Sequence, residues 1–443
     1  MSEISSSPRK LPEKVLRRHF ELLEEILPDA TRLVIEERLA ADKLLSHFLR
    51  SHRELGARDR RFLSQAVFSY FRWMGWTVHR LGLSMMEAAV TGAALDLDAF
   101  SESFRYVASR CSLPPIEPMG GASLDEKLEY LHRLFLAGKE NAAPLAPADL
   151  VPPEFEELTA PERVDACIEA FQRRPPTWLR VRTDVPAFLE TLAEAGIPGE
   201  TPFERMPEAV RVPPGAALAG KLAAVAARFV IQDIASQCVA KVCAPAEGED
   251  WWDACAGAGG KALHLMDLMR RNGKVLATDV RVAALKELKR RARRHGIRGI
   301  RTQVHNVVYD APFSKTFDGV LVDAPCSGWG TWARNPDARW RTGRRDVIQH
   351  ANRQLKMLNN AAWCVKPGGT LVYAVCTLTL PETEEVAVRF LDANPAFSLD
   401  PFPHPLTGEP TSGQLQIWPW EGPGDAMFIA RFRREAPAEP AGD

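Results

Sequence analysis

Residues 251–261, Trp251-Trp252-Asp253-Ala254-Cys255-Ala256-Gly257-Ala258-Gly259-Gly260-Lys261, run from a short strand pattern into a turn of small residues, and the helical pattern Ala262 to Arg271 follows at once. A strand that closes on a glycine turn and opens a helix is one unit of an alternating α/β fold. The pattern then recurs: Lys274 to Thr278 ends in Asp279, Phe317 to Val322 ends in Asp323, and Thr370 to Val375 ends at Cys376. From about Phe229 onward the chain therefore predicts a mainly parallel sheet with helices on both faces. Ligands of such sheets bind outside the carboxyl ends of the strands. The glycine turn, Asp279, Asp323 and Cys376 all share that edge.

Small residues in the turn let backbone approach a ligand closely, and the following helix presents its amide end. Asp279 stands 20 residues after Gly259, at the end of the next strand, where a carboxylate holds the two hydroxyls of a ribose. The GxGxxG spacing of dinucleotide sites is not met. A nucleoside cofactor without a pyrophosphate fits better, and S-adenosylmethionine is the expected cofactor.

Two cysteines 50 residues apart carry the chemistry: Cys326 in Asp323-Ala324-Pro325-Cys326-Ser327-Gly328 and Cys376 in Leu371-Val372-Tyr373-Ala374-Val375-Cys376-Thr377. Thiols at two strand ends, downstream of a cofactor loop, suggest that one bonds to substrate and the other helps to undo the bond. Spacing alone does not say which is which. The other six cysteines, at 111, 167, 238, 243, 255 and 364, form no CxxC pair, so no metal site is expected. Cys255 is read as packing in the cofactor loop and the other five as buried small hydrophobes.

The chain has 443 residues and a formal net charge of -1, so any nucleic-acid surface must be local. It carries no apolar run of membrane-spanning length, and a cytoplasmic protein, most simply a monomer, is expected. Three segments differ in texture. Helical spacing dominates up to about Glu140, as in Phe62, Leu63, Ala66, Val67, Tyr70, Phe71 and Met74. A proline-rich stretch, Asn141 to Phe155, leads to a small α+β pattern around Thr177 to Thr183 and Ala209 to Val212. The Pro/Ala-rich tail, 435–443, is expected to be disordered.

The motifs resemble those of a known family. Asp253 to Lys261 is similar to Asp-x-Cys-Ala-Ala-Pro-Gly-Gly-Lys, Asp323 to Gly328 matches Asp-Ala-Pro-Cys-Ser-Gly, and Cys376 with Pro381-Glu382-Thr383-Glu384 resembles Thr-Cys-Ser followed by Pro-x-Glu-Asn-Glu. These are marks of the Nop/Sun (RsmB-like, Fmu) family of RNA cytosine-5 methyltransferases. Gly56 to Phe62 resembles the arginine-rich helix of its NusB-like domain, Pro175 to Val181 the start of its RRM-like module, and Ile231 to Ser236 the Gln-Asp-x-Ala-Ser run before its catalytic domain.

The resemblance implies an all-α NusB-like RNA-binding domain over 10–145, an RRM-like α+β module over 155–228 and a Rossmann-like class I methyltransferase domain over 229–434. It implies methyl transfer from S-adenosylmethionine to C5 of a cytosine in RNA, favouring 16S ribosomal RNA by domain order. Transfer RNA, DNA, or a non-catalytic role in ribosome assembly are the alternatives. By resemblance Cys376 is the nucleophile, Cys326 assists release, and Asp323 meets the N3 and amino edge of cytosine. The cofactor would be held by Cys255, Ala256, Gly257, Ala258, Gly259, Gly260, Lys261, Asp279 and Asp323.

Departures are informative. Gly257-Ala258 replaces Ala-Pro, Val375 and Thr383 replace Thr and Asn, and Asn306 stands near the place of an Asp that meets the adenine; its side chain can still accept a hydrogen bond, which makes it a further cofactor candidate. The basic run Arg281 to Arg301 reads as a solvated helix face. The stretch holding Trp329, Trp332, Arg334, Arg339, Trp340, Arg341, Arg344 and Arg345 is expected to contact RNA, because aromatics interleaved with arginines suit base stacking and phosphate binding. His264 and His305 are expected to be structural.

Overall fold

The structure is a computed structural model that describes residues 10–139, 143–310 and 316–436. Much of the expected tail, 437–443, and the first residues of the expected linker, 141 and 142, lie outside the described residues. The chain forms two compact units. One takes Met1–Glu157, Pro161–Arg173 and Asn335–Gly343; the other takes Leu158–Ala160, Arg174–Arg334 and Arg344–Asp443.

The first unit is helical. Glu13–Ile35, Ala57–Met74 and Met85–Asp96 supply most of its core, with Leu23, Leu27, Leu63, Ala66, Val67, Tyr70, Phe71 and Ala93 fully buried. The helical period read from Phe62 to Met74 is the buried face of one of these helices. Gly92 lies where a Cβ would meet the Ser69 carbonyl oxygen at 2.7 Å, so two helices cross there at backbone contact.

Asn335–Gly343 completes this unit from far along the chain. Asp337 accepts from the Ala41 amide (3.0 Å), Trp340 Nε1 donates to the Phe71 carbonyl (2.8 Å), and Arg339, wholly buried, donates to the Leu150 carbonyl (2.9 Å). Arg339 and Trp340 are thus packing residues of the helical unit. The expectation that they contact RNA is corrected by their burial and by the carbonyls that hold them.

In the second unit, β1 (Thr177–Val181) lies between β2 (Ala209–Val212) and β3 (Phe229–Ile231), antiparallel to both. β3 therefore extends the small α+β module past 228, where the catalytic segment was expected to begin. Both faces of β1 are covered. Leu179 and Val181 pack on Phe188 and Leu192 of the helix Val185–Glu194, while Trp178 joins the core of the larger sheet and Arg180 pairs with Asp267 at 2.6 Å.

The larger sheet holds β4 (Asp250–Asp253), β5 (Lys274–Asp279), β6 (Ile300–Val304), β7 (Phe317–Asp323), β8 (Val365–Val375), β9 (Phe397–Leu399), β10 (Gln414–Ile417) and β11 (Met427–Arg434). Its order is β10-β11-β8-β7-β4-β5-β6, with β9 pairing β11. β6, β5, β4, β7 and β8 are parallel, and β11 is antiparallel to β8, β9 and β10. This is the predicted Rossmann-like, doubly wound arrangement. Trp251, Leu321, Val372 and Ala374 point to one core and Trp252, Val320, Val322, Leu371 and Tyr373 to the other, the two-residue alternation of strands covered on both faces.

Candidate active site

The order of the parallel strands brings the motifs to one edge. β7 pairs with β8 so that Asp323 lies opposite Ala374, and the Ala324 amide donates to the Ala374 carbonyl at 2.9 Å. Cys326 is three residues beyond the first and Cys376 two beyond the second, so register alone drives the thiols together. Their Sγ atoms are 3.4 Å apart in two free cysteines. The hydrogen bond to Cys376, then burial, and the nearby Glu382 push the Cys326 thiol well above the usual thiol range.

The loop after Cys326 is fixed to the second thiol's strand end. The Gly330 amide donates to the Cys376 carbonyl (3.1 Å), and the Ala426 amide donates to Gly330 (2.8 Å). A Cβ on Gly330 would meet the Ala426 oxygen at 2.6 Å and the Cys376 oxygen at 2.9 Å, so only glycine permits this approach. Trp329 and Trp332 are fully buried here. Arg334 pairs with Asp233 (2.9 Å) and Asp425 (3.4 Å). Burial and the neighbouring Asp425 push the Asp233 carboxyl up to about 7. Trp329, Trp332 and Arg334 therefore brace the site from within, which corrects their expected role as RNA contacts.

The glycine turn links β4 to the helix Gly260–Leu268. Gly259 has φ +84° and a Cβ on it would lie 2.4 Å from Leu288 Cγ, so both backbone conformation and packing demand glycine. Gly257, also left-handed at φ +55°, donates its amide to Asp279 Oδ2 at 2.9 Å. Asp279 also binds the amide, Nε and Nη2 of Arg281. Burial raises its carboxyl, but the Arg281 side-chain and backbone hydrogen bonds and the Gly257 amide outweigh that and hold it below the usual range. Cys255 packs against the second core, as expected for the cofactor loop. Ala256 and Ala258 are tied in by backbone: the Ala256 amide donates to Thr278 (2.8 Å), and the Ala258 carbonyl accepts from Arg291 Nη1 (3.0 Å).

Lys261, one residue into that helix, donates to Asp323 Oδ2 at 2.7 Å. Burial works against its charge, but Asp323, Cys376 and Asp253 together keep its ammonium above the ordinary lysine range. Asp253 is 1% exposed, and apart from a weak approach by the Cys255 amide neither of its oxygens has a hydrogen-bond donor. Burial and the Asp323 charge push it up to about 7. A buried carboxylate without donors beside a turn of left-handed glycines fits a ligand that brings its own cationic or N–H group. Asn306 Oδ1 accepts from the Val308 amide (3.1 Å), which commits to a turn the oxygen proposed for the cofactor. His264 is buried, as expected of a structural residue.

Sequence reasoning missed Glu382, Asp253 and Arg291. Glu382, fully buried, accepts from the Ser327 amide (2.8 Å) and Gln354 Nε2 (3.0 Å) at Oε1, and from Thr379 Oγ1 (2.9 Å) at Oε2, with Thr377 Oγ1 at 3.5 Å. Its signal was present in Pro381-Glu382-Thr383-Glu384, where only the departure at Thr383 drew notice. Among the described residues no group of three or more His, Cys, Asp and Glu is placed to hold a metal ion, and no helix is long and apolar enough to cross a membrane.

Comparison with known proteins agrees with this geometry. Residues 240–433 match the model of the family described as 16S rRNA methyltransferase RsmB/F. Ribosomal RNA small subunit methyltransferase B of Klebsiella pneumoniae is 32% identical over 281 residues, 61% of this chain and 62% of that protein. The probable ribosomal RNA small subunit methyltransferase B of Bacillus subtilis is 36% identical over 216 residues, 46% of this chain and 47% of that protein. The chain thus spans less than two thirds of the length of these relatives. Among solved structures, PH0851 covers 97% of this chain and 100% of its own at a TM-score of 0.71 and 23% identity. NSun6 of Pyrococcus horikoshii, solved with SFG, covers 64% and 98% at a TM-score of 0.55 and 17% identity; both show a shared fold. With the glycine turn, the Asp-Ala-Pro-Cys strand end and the paired thiols in their order, the chain belongs to the Nop/Sun, RsmB/F-like family of methyltransferases.

Proposed function

We propose that the protein methylates C5 of a cytosine in RNA, with small-subunit ribosomal RNA as the substrate, and that Cys376 forms the transient bond to the base. The observation that carries this is the pair of sulfurs 3.4 Å apart beside the Lys261–Asp323 ion pair. Cytosine C5 is a poor nucleophile until a thiolate adds to C6 and makes it enamine-like. Cys376 is suited to that addition because the Lys261 ammonium is near enough to feel its charge, and a neighbouring cation favours a thiolate.

Bound S-adenosylmethionine supplies an electrophilic methyl group. The glycine turn 256–260 would hold it, with Asp279 for ribose hydroxyls and Asp253 for a cationic amine; the donor-poor carboxylate of Asp253 fits such a guest. Asp323, positioned by Lys261, takes the polar edge of cytosine. Once C5 carries the methyl group, its proton must leave and the C6–S bond must break. Cys326, kept protonated by its surroundings and touching Cys376, is placed to return a proton to the departing sulfur.

The test is incubation of purified protein with radiolabelled cofactor and either small-subunit ribosomal RNA, transfer RNA or DNA, with the product base identified by mass spectrometry. Label in 5-methylcytosine of ribosomal RNA is expected. Label at an exocyclic amine or in DNA alone would overturn the reading.

A further inference from the structure

Two thiols in contact must not compete for one negative charge, and the fold supplies an asymmetry. We propose that Glu382 is a positioning residue that makes Cys376, and not Cys326, the sulfur that ionises. The inference rests on the thiol chemistry proposed above and names the group that orders it.

Each oxygen of the Glu382 carboxylate reaches a different cysteine loop. Oε1 accepts from the amide of Ser327, the residue after Cys326, and Oε2 sits beside the hydroxyl of Thr377, the residue after Cys376. Ser327 Oγ and Thr377 Oγ1 meet directly at 3.0 Å. Behind this clamp, the Tyr373 hydroxyl is 2.6 Å from the Glu382 carbonyl and 3.0 Å from Gln354 Oε1, which turns the Gln354 amide so that Nε2 faces Glu382. Oε1 therefore faces two N–H donors, leaving it no acceptor to which a carboxylic proton might donate.

A carboxylate held in this way in a dry core disfavours a second anion next to it. Glu382 is among the groups that raise the Cys326 thiol, and Lys261 is the cation that senses Cys376. The charge of Glu382 thus faces the Cys326 loop and that of Lys261 faces Cys376. Negative charge on the thiol pair is steered to Cys376.

Alkylation with iodoacetamide, followed peptide by peptide with mass spectrometry, reads this without RNA or cofactor, so its outcome is separable from that of the methylation assay. In the unaltered protein at neutral pH, Cys376 should react at least about tenfold faster than Cys326. Glu382→Gln keeps the shape and removes the charge, and should bring the two rates within about threefold by accelerating Cys326. Thr379→Val removes a hydrogen bond to Oε2 and leaves the carboxylate, so it should preserve the preference for Cys376. Equal collapse in Thr379→Val, or an unchanged ratio in Glu382→Gln, overturns the proposal. So does faster reaction of Cys326 in the unaltered protein, a result that needs no variant to fold.

Discussion

Lys261, at the start of the helix that follows the glycine turn, and Asp323, at the end of β7, meet across 2.7 Å and join the cofactor loop to the strand end that leads to Cys326. Removing the ammonium leaves three acidic neighbours, Asp253, Asp323 and the Cys376 thiol, without their shared cation. Lys261→Met should lower kcat for methyl transfer by at least about 100-fold, because the thiolate loses its nearest cation. Steady-state kinetics with radiolabelled cofactor check this, with circular dichroism to establish folding.

Cys376→Ala should abolish turnover and form no RNA adduct. Cys326→Ala should retain attack and lose release, so a covalent protein–RNA species should accumulate on denaturing gels. Adduct from Cys376→Ala, or rapid turnover by Cys326→Ala, would exchange or dissolve the proposed roles.

Asp253 offers a pH test. Its folded carboxyl is raised to about 7 from an ordinary 3.8, mainly by burial and then by Asp323. A raised acid favours folding while protonated, so its contribution is full below pH 3.8 and is lost as pH rises through about 7. Asp253→Asn should therefore stabilise the ligand-free protein at pH 8, by about 1–3 kcal/mol, and have little effect near pH 4. The same variant should weaken cofactor binding in calorimetry. Asp233, raised to about 7 beside Asp425, adds to stability in the same direction.

Gly259→Ala places a Cβ 2.4 Å from Leu288 Cγ at a φ of +84°. Strain and overpacking together should cost about 2–4 kcal/mol, read as a lowered melting temperature, and cofactor binding should fall with the loop's shape.

Much of this site was legible because strand ends announce themselves in sequence. Asp253, Asp279, Asp323 and Val375 each close an apolar run, and all four do close strands. Proximity of the thiols followed from parallel order, which the alternating pattern implies. Partnership was less legible. Nothing in the local sequence says that Glu382 reaches back 55 residues to the Ser327 amide, or that Arg291, on an outwardly basic helix, turns inward to Ala258. The Trp329 to Arg345 stretch misled for a physical reason: tryptophans and arginines that suit nucleic acid also suit a core when carbonyls such as that of Leu150 accept the guanidinium.

That stretch also decides what can be cut from this chain. Asn335–Gly343 belongs to the helical unit although it is encoded between two strands of the large sheet. A fragment ending at residue 173 would carry every long helix of that unit yet lack Arg339 and Trp340, leaving the carbonyls of Leu150 and Phe71 facing a vacant slot. The N-terminal unit is therefore no detachable module. Shuffling it onto another enzyme would require transplanting nine residues from the middle of the catalytic segment as well.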